Sequence, residues 1–244
     1  MAKAGEKKYF EKIGEAGRRM TVQKPFSDSE AGSLLAQIGT VIALLPKAPA
    51  KLLDLGCGSG WTTNFFAQCG MQATGQDIAA GAIKLAKKHF SEHGAKFICT
   101  DYENLSYKNS FDVAVFFDSL HHAEDVEAAL KATHKSLKPG GKLIVSEPGK
   151  GHAKSPHSIA AMEEYGVLEQ DMPPSLIIMH GRAAGFTSWR VYPDIGFIQR
   201  ALVKDQFNRS ILKYIPGSIT RYLAVQYLLL FKRSFQGIVV LYKD

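Results

Sequence analysis

Residues 51 to 61 read Lys-Leu-Leu-Asp-Leu-Gly-Cys-Gly-Ser-Gly-Trp. An apolar run carrying one acid leads into glycines at alternate positions, Gly56, Gly58 and Gly60, and then into a helical stretch, Trp61 to Gln68. That order describes a buried parallel strand, a tight turn and a helix N-terminus. Glycine at such a turn allows positive φ and close approach of backbone to a ligand. A phosphate loop needs a Lys after its last glycine, and none follows Gly60. A dinucleotide fingerprint needs its third glycine where Trp61 stands. Both readings therefore fail, and Asp-x-Gly-x-Gly-x-Gly remains.

Downstream the strand and helix signals alternate. Strands are expected at Met71 to Asp77, Ala95 to Thr100, Phe111 to Phe117 and Lys142 to Ser146. Helices are expected at Ile78 to His93 and Asp125 to Leu137, the latter stopping at Lys138-Pro-Gly-Gly141. Near-continuous apolar runs such as Phe111 to Phe117 suit strands buried on both faces of a parallel sheet. Five acids fall at five strand ends: Asp54, Asp77, Asp101, Asp118 and Glu147. One such acid is explained as a helix N-cap. The set points to a ligand outside the carboxyl edge of the sheet.

The ordered set Asp54-Leu-Gly-Cys-Gly-Ser-Gly60, Asp77, Asp101-Tyr102 and Leu137-Lys-Pro-Gly-Gly141 resembles that of the class I, Rossmann-like S-adenosylmethionine-dependent methyltransferases. The resemblance covers about residues 50–148 and, less fully, 174–244. It implies a doubly wound α/β sheet of seven strands in the order 3-2-1-4-5-7-6, with the last strand antiparallel and helical cap insertions. It implies S-adenosyl-L-methionine as cofactor and S-adenosyl-L-homocysteine as product. Asp77 would accept from the ribose hydroxyls, by the same logic that lets an acid read a ribose in dinucleotide folds. Gly56, Cys57, Gly58 and Gly60 would let the methionine part approach. Asp54 would orient its amino acid end, Asp101 would accept from the adenine amino group, and Ile78 or Tyr102 would cover the adenine ring. Asp118 would complete the acidic ring.

Methyl transfer from a sulfonium needs mainly in-line positioning. A hydroxyl acceptor must also lose a proton, a task suited to a group with pKa near neutrality. His121 and His122 follow the fourth strand and are candidate bases, with Glu147 as a further candidate. The histidines and nearby acids form no recognisable metal spacing, so no required metal is expected. Absence of an Asn-Pro-Pro-Tyr/Phe element after the fourth strand, and of any RNA-binding module, favours a small-molecule acceptor, most readily at oxygen. Alternatives are N- or C-methylation of a small or lipid-linked acceptor, nucleic acid methylation, and a non-catalytic S-adenosylmethionine-binding protein.

The rest of the 244 residues divides around this core. Residues 1–46 are expected to form an N-terminal arm and helix, 47–194 with 236–244 the methyltransferase domain, and 195–235 a helical insertion. The arm, rich in Lys and Arg, is read as a short helix or a strap over a site. The helix after Ser27-Asp28-Ser29-Glu30 would bury Leu34, Leu35, Ile38, Ile42 and Leu45. After Gly149 a loop and a helical piece, Ile159 to Gln170, would cap the acceptor pocket. A helix over Ser175 to Ala184 and strands over Phe186 to Tyr192 and Gly237 to Tyr242 follow. In the insertion, Phe197, Ile198, Ala201, Leu202 and Phe207 have helical spacing, and Leu223 to Phe231 is apolar between basic residues. That piece is too short to span a bilayer. It is read as a packed cap or dimer surface, with basic amphipathic contact to a membrane surface as the sharper alternative.

The net charge of +7 sits at the ends: residues 1–25 hold seven Lys/Arg against three acids, and 180–244 ten against three. That pattern reads as solvated surface or as attraction to an anionic partner. No secretory signal appears in the charged stretch Met1 to Glu15, and the three cysteines, Cys57, Cys69 and Cys99, are expected reduced and buried. A cytoplasmic monomer or homodimer with a small-molecule acceptor and no nucleic acid partner is the resulting expectation.

Overall fold

The computed structural model describes residues 2–196 and 237–244, with isolated positions at 199, 219, 222, 223 and 226. The chain begins with α1 (Ala2–Lys12), α2 (Gly14–Val22) and α3 (Ala31–Ala43). The alternating core follows: β1 (Lys51–Leu55), α4 (Trp61–Gln68), β2 (Gln72–Asp77), α5 (Ala80–Phe90), β3 (Lys96–Cys99), β4 (Phe111–Phe117), α6 (Val126–Ser136) and β5 (Leu137–Ser146). Then come α7 (Pro156–Tyr165), α8 (Pro174–Ala183), β6 (Ser188–Pro193) and β7 (Gly237–Tyr242). The strands form one sheet in the order β3-β2-β1-β4-β5-β7-β6. The strands β1 to β5 pair in parallel, and β7 runs antiparallel to both β5 and β6. This is the sheet expected from the sequence.

The two-residue period of the strands distributes the core to both faces. Leu53, Leu55, Ala114, Phe116, Leu143, Val145, Val239 and Leu241 pack on one side with Leu130 and Ile177. Leu52, Val113, Val115, Phe117, Ile144, Ile238 and Val240 pack on the other with Ile38, Val41 and Phe66. Phe116, Leu52, Leu53 and Ile144 are wholly buried, each contributing about 2 kcal/mol of transfer free energy.

Several elements differ from the sequence reading for local reasons. Lys138-Pro-Gly-Gly141 belongs to β5 rather than ending a helix; Leu137 pairs with Phe111, and Gly140 donates to the Lys243 carbonyl at 2.9 Å. The α3 face that turns inward includes Ser33, Gln37, Ile38 and Val41, whereas Leu35 is exposed. The helix α7 starts at Pro156, because the Ser155 hydroxyl caps it by accepting from the Ser158 N–H, and it stops at Gly166 with φ 72°. Residues 167–170 are thereby released from the helix expected over 159–170. Of the cysteines only Cys57 is buried; Cys69 and Cys99 are exposed, lying at an element end and on the edge strand. The calls on Phe197, Ile198, Ala201, Leu202, Phe207 and the apolar run to Phe231, and with them the membrane contact of 195–235, lie outside the described residues. Among the described residues no helix is long and apolar enough to cross a membrane.

Candidate functional site

A cavity opens at the carboxyl ends of β1, β2 and β4, where parallel α/β sheets place ligands. The glycine turn forms its floor. Gly56 has φ 72°, and a Cβ there would stand 2.5 Å from Ser119 Cβ and 2.6 Å from the Tyr102 hydroxyl. Gly60, at φ 91°, faces Ala86 and Phe97 instead of the cavity. Gly56, Cys57, Gly58, Asp77, Ile78, Asp101, Tyr102, Asp118 and His122 all line the cavity, as their sequence positions suggested. Asp54, Gly60, His121 and Glu147 do not.

Each acid is held differently. The Asp77 carboxylate accepts from the Gly58 N–H at 2.9 Å and the Ala79 N–H at 2.8 Å, which locks the glycine turn to the start of α5. Burial raises its pKa to about 6, against the pull of those two N–H groups. Asp54 lies behind the turn, 1% exposed, and accepts from the Thr62 and Thr63 hydroxyls at 2.6 Å each. Burial raises it to about 6 despite both hydroxyls. It therefore reaches the cavity only through Thr62. Asp101 accepts from the Asn104 N–H at 2.9 Å and meets Lys3 Nζ at 3.4 Å. Burial raises its pKa, but those partners outweigh it and hold the carboxyl below the usual range.

Tyr102 packs edge-on to Phe116 with ring centroids 5.3 Å apart, and donates its hydroxyl to the Ser119 carbonyl at 3.1 Å. Asp118 sits at φ 49°, an uncommon left-handed conformation for a non-glycine residue. Its carboxyl accepts from Gln37 Nε2 at 3.2 Å. Burial, then the nearby Glu147 charge, raises its pKa to about 7.

The three candidate bases separate. Glu147 is buried and saturated: Oε1 accepts from the Ser119 N–H at 2.9 Å and the Leu120 N–H at 2.7 Å, and Oε2 accepts from His121 Nδ1 at 2.6 Å. Burial opposes its charge, but His121 and the two N–H groups outweigh that and hold it below the usual range. His121, 4% exposed, is kept low by burial. His122 reaches the cavity wall, where burial would lower its pKa; Glu6, Glu169 and the Leu168 carbonyl outweigh burial and raise it to about 9. With no cation bound to it, the ring thus holds its proton at neutral pH.

Some cavity residues carried no sequence signal. Ser59 lines the cavity, and its Oγ is, among the described residues, buried with no hydrogen-bond partner. Lys3, Glu6, Tyr9 and Phe10 of α1 also line it, on a segment read from the sequence only as a short helix or a strap. Glu6 accepts from the Leu168 N–H at 3.1 Å and approaches His122 Nδ1 at 3.3 Å. Gln37, on a helix read as apolar, stands beside the wall without lining it: its buried amide donates to Asp118 at 3.2 Å.

Residues 53–145 match a family model described as a methyltransferase domain. Over 100 residues the chain is 40% identical to a ubiquinone biosynthesis O-methyltransferase of Idiomarina loihiensis, covering 39% of this chain and 41% of that protein. It is 30% identical over 126 residues to a malonyl-[acyl-carrier protein] O-methyltransferase of Priestia megaterium, covering 50% and 46%. The chain thus spans less than half the length of these curated relatives. In fold it is similar to a Haemonchus contortus phosphoethanolamine N-methyltransferase in complex with S-adenosyl-L-methionine, with TM-score 0.62 at 16% identity over 98% of this chain and 60% of that one. The sheet order is thus that of the class I, Rossmann-like methyltransferase fold, and the segment 53–145 within it is similar to a methyltransferase domain.

Proposed function

We propose that the chain is an S-adenosylmethionine-dependent methyltransferase that acts on the oxygen of a small molecule. The observation that carries this reading is the convergence of Asp77, the Gly56–Gly58 turn and the unpartnered Ser59 hydroxyl on one cavity. A buried hydroxyl without a partner costs about 1–3 kcal/mol unless a ligand satisfies it. The amino acid end of the cofactor supplies both donors and acceptors for that purpose. Asp77 then accepts from the ribose diol with the lone pairs that Gly58 and Ala79 leave over. Ile78 and Tyr102 cover the adenine, and Asp54 acts through Thr62. In this reading residues 1–46 wall the site, 47–194 with 236–244 bind the cofactor, and 195–235 cap the acceptor.

Oxygen is favoured because both curated relatives described above are O-methyltransferases, and because Asp118 is poised near neutrality in the cavity. Such a carboxylate takes the hydroxyl proton as the methyl group moves. Asp118 thereby takes the base role expected of the histidines. Calorimetry with S-adenosyl-L-methionine tests the cofactor assignment: Asp77→Ala is expected to weaken binding at least tenfold, about 1.4 kcal/mol. Unchanged affinity would remove the ribose role. Mass spectrometry of labelled methyl transfer into cell extract identifies the acceptor.

A further inference from the structure

Behind the cavity wall the segment after β5 folds back onto the end of β4. There, among the described residues, His121, His122 and Glu169 each offer a ligand atom, and these atoms all lie within 4.8 Å of one another. The two histidines come from the turn after β4, whereas Glu169 comes from the stretch released beyond α7.

Hydrogen bonding settles what each ring can do. His121 Nδ1 lies 2.6 Å from Glu147 Oε2, and that carboxylate already takes two backbone N–H bonds on its other oxygen. Nδ1 is therefore a donor, which leaves Nε2 with its lone pair in the neutral ring. His122 Nδ1 lies 2.6 Å from the Leu168 carbonyl, which only accepts, so this Nδ1 is also a donor. In both rings an oxygen fixes one nitrogen and leaves the other for a ligand. That is how a metal-ligating histidine is oriented by its outer partners. At His122 a cation takes the place of the proton that this second nitrogen otherwise carries, which is released to solvent.

The remaining geometry asks for a cation. His121 Nε2 stands 3.5 Å from Glu169 Oε2. That is too long for a good hydrogen bond, yet it matches the separation of two ligands about 2.0–2.1 Å from one tetrahedral ion. His152 Nε2 lies only 2.6 Å from the same oxygen, a hydrogen-bond distance, so His152 holds Glu169 from outside. Gln170 ties the segment in place by donating to the His121 and Ala123 carbonyls at 3.2 and 2.8 Å.

We propose that His121, His122 and Glu169 form a binding site for a divalent first-row metal ion of the zinc type, with Glu147, the Leu168 carbonyl and His152 as its outer shell. Two imidazoles and one carboxylate suit zinc and leave a position open. His122 belongs to both the cluster and the cavity wall, so the ion sits next to the acceptor space and fastens the 147–173 segment to the sheet edge. The site does not depend on the methyl-transfer reading.

The test is titration of the purified, chelator-stripped full chain with zinc by calorimetry, and with cobalt(II) by visible absorption. Binding of one ion per chain is expected, with the ligand-field bands of tetrahedral cobalt and a thermal midpoint that rises with zinc. Glu169→Gln should weaken binding at least tenfold while circular dichroism stays native, and His122→Ala should do the same if the first variant folds poorly. Failure of the chain to bind zinc or cobalt at micromolar concentration, or equal binding by wild type and both variants, overturns the site and leaves a hydrogen-bonded network only.

Discussion

The two sides of the crevice are built on different principles. On the glycine-turn side, Asp54 to Thr63 and Gln76 to Ala79 are short consecutive stretches at the tips of neighbouring strands. Their contacts are nearly all to backbone or to residues a few positions away, such as Asp77 to the Ala79 N–H. On the far side, Glu6, His122, Leu168, Glu169 and Glu147 come from segments up to 162 residues apart. Here side chains meet side chains, and most carry charge. The first side is fixed by the sheet itself; the second exists only once α1 and the 147–173 segment have docked. The difference is between a site that folding of the core makes and one that later packing completes.

Four substitutions can break or sharpen that contrast. Glu147→Ala should have the largest effect: it orphans the Ser119 and Leu120 N–H groups and His121 in a buried place, and should cost about 3 kcal/mol in denaturant unfolding. A loss below 1 kcal/mol would mean that the far side bears little on the core.

Asp118→Asn should lower turnover about 100-fold, near 2.7 kcal/mol, with cofactor affinity unchanged. The same variant should gain stability at pH 8, and the sign follows from linkage. A carboxyl raised from 3.8 to about 7 in the fold binds its proton more tightly there than when unfolded. Wild-type stability therefore falls as pH rises from about 4 to about 7, then levels. Asparagine, neutral throughout and tolerant of positive φ, removes that fall. Melting curves across this window check it; parallel curves for the two proteins would contradict the burial argument.

Gly56→Ala comes next, at about 2 kcal/mol, since the new methyl meets Ser119 and Tyr102 at a left-handed φ. Lys3→Ala should be smallest, under 1 kcal/mol, because its ion pairs with Asp101 and Glu103 are partly exposed. A faster cofactor off-rate with an unchanged melting point is the expected signature.

How much could be read from the letters follows the same division. The alternating strands and the glycine turn were legible because each depends on local periodicity and spacing, whereas the sheet order came from the resemblance that those motifs carried. Residues Phe111 to Phe117 could hardly be anything but a central strand. The end of α7 was not legible, since the Ser155 cap and Gly166 stop outweighed an apolar pattern running to Gln170. His121 and His122 were visible as a pair, but their roles were not. One is buried against Glu147, and the other is charged by Glu6 from the far end of the chain. Glu169 and His152 had no spacing that could betray a cluster, because what gathers them is tertiary packing. Ser59 was passed over as a small turn residue; only its burial without a partner marks it.

One consequence of α1 remains. Its Lys3, Glu6, Tyr9 and Phe10 are wall, and its packing is on α5, where Phe10 is buried with Ala79 and Ala82, and not in the two clusters that flank the sheet. A protease that trims the first dozen residues would therefore uncover Ala79 and Ala82 on α5 while leaving the two clusters of the sheet whole, and would take from His122 its partner Glu6. The sheet would keep its shape and the crevice would lose a wall, so an assay of secondary structure alone would miss most of the damage.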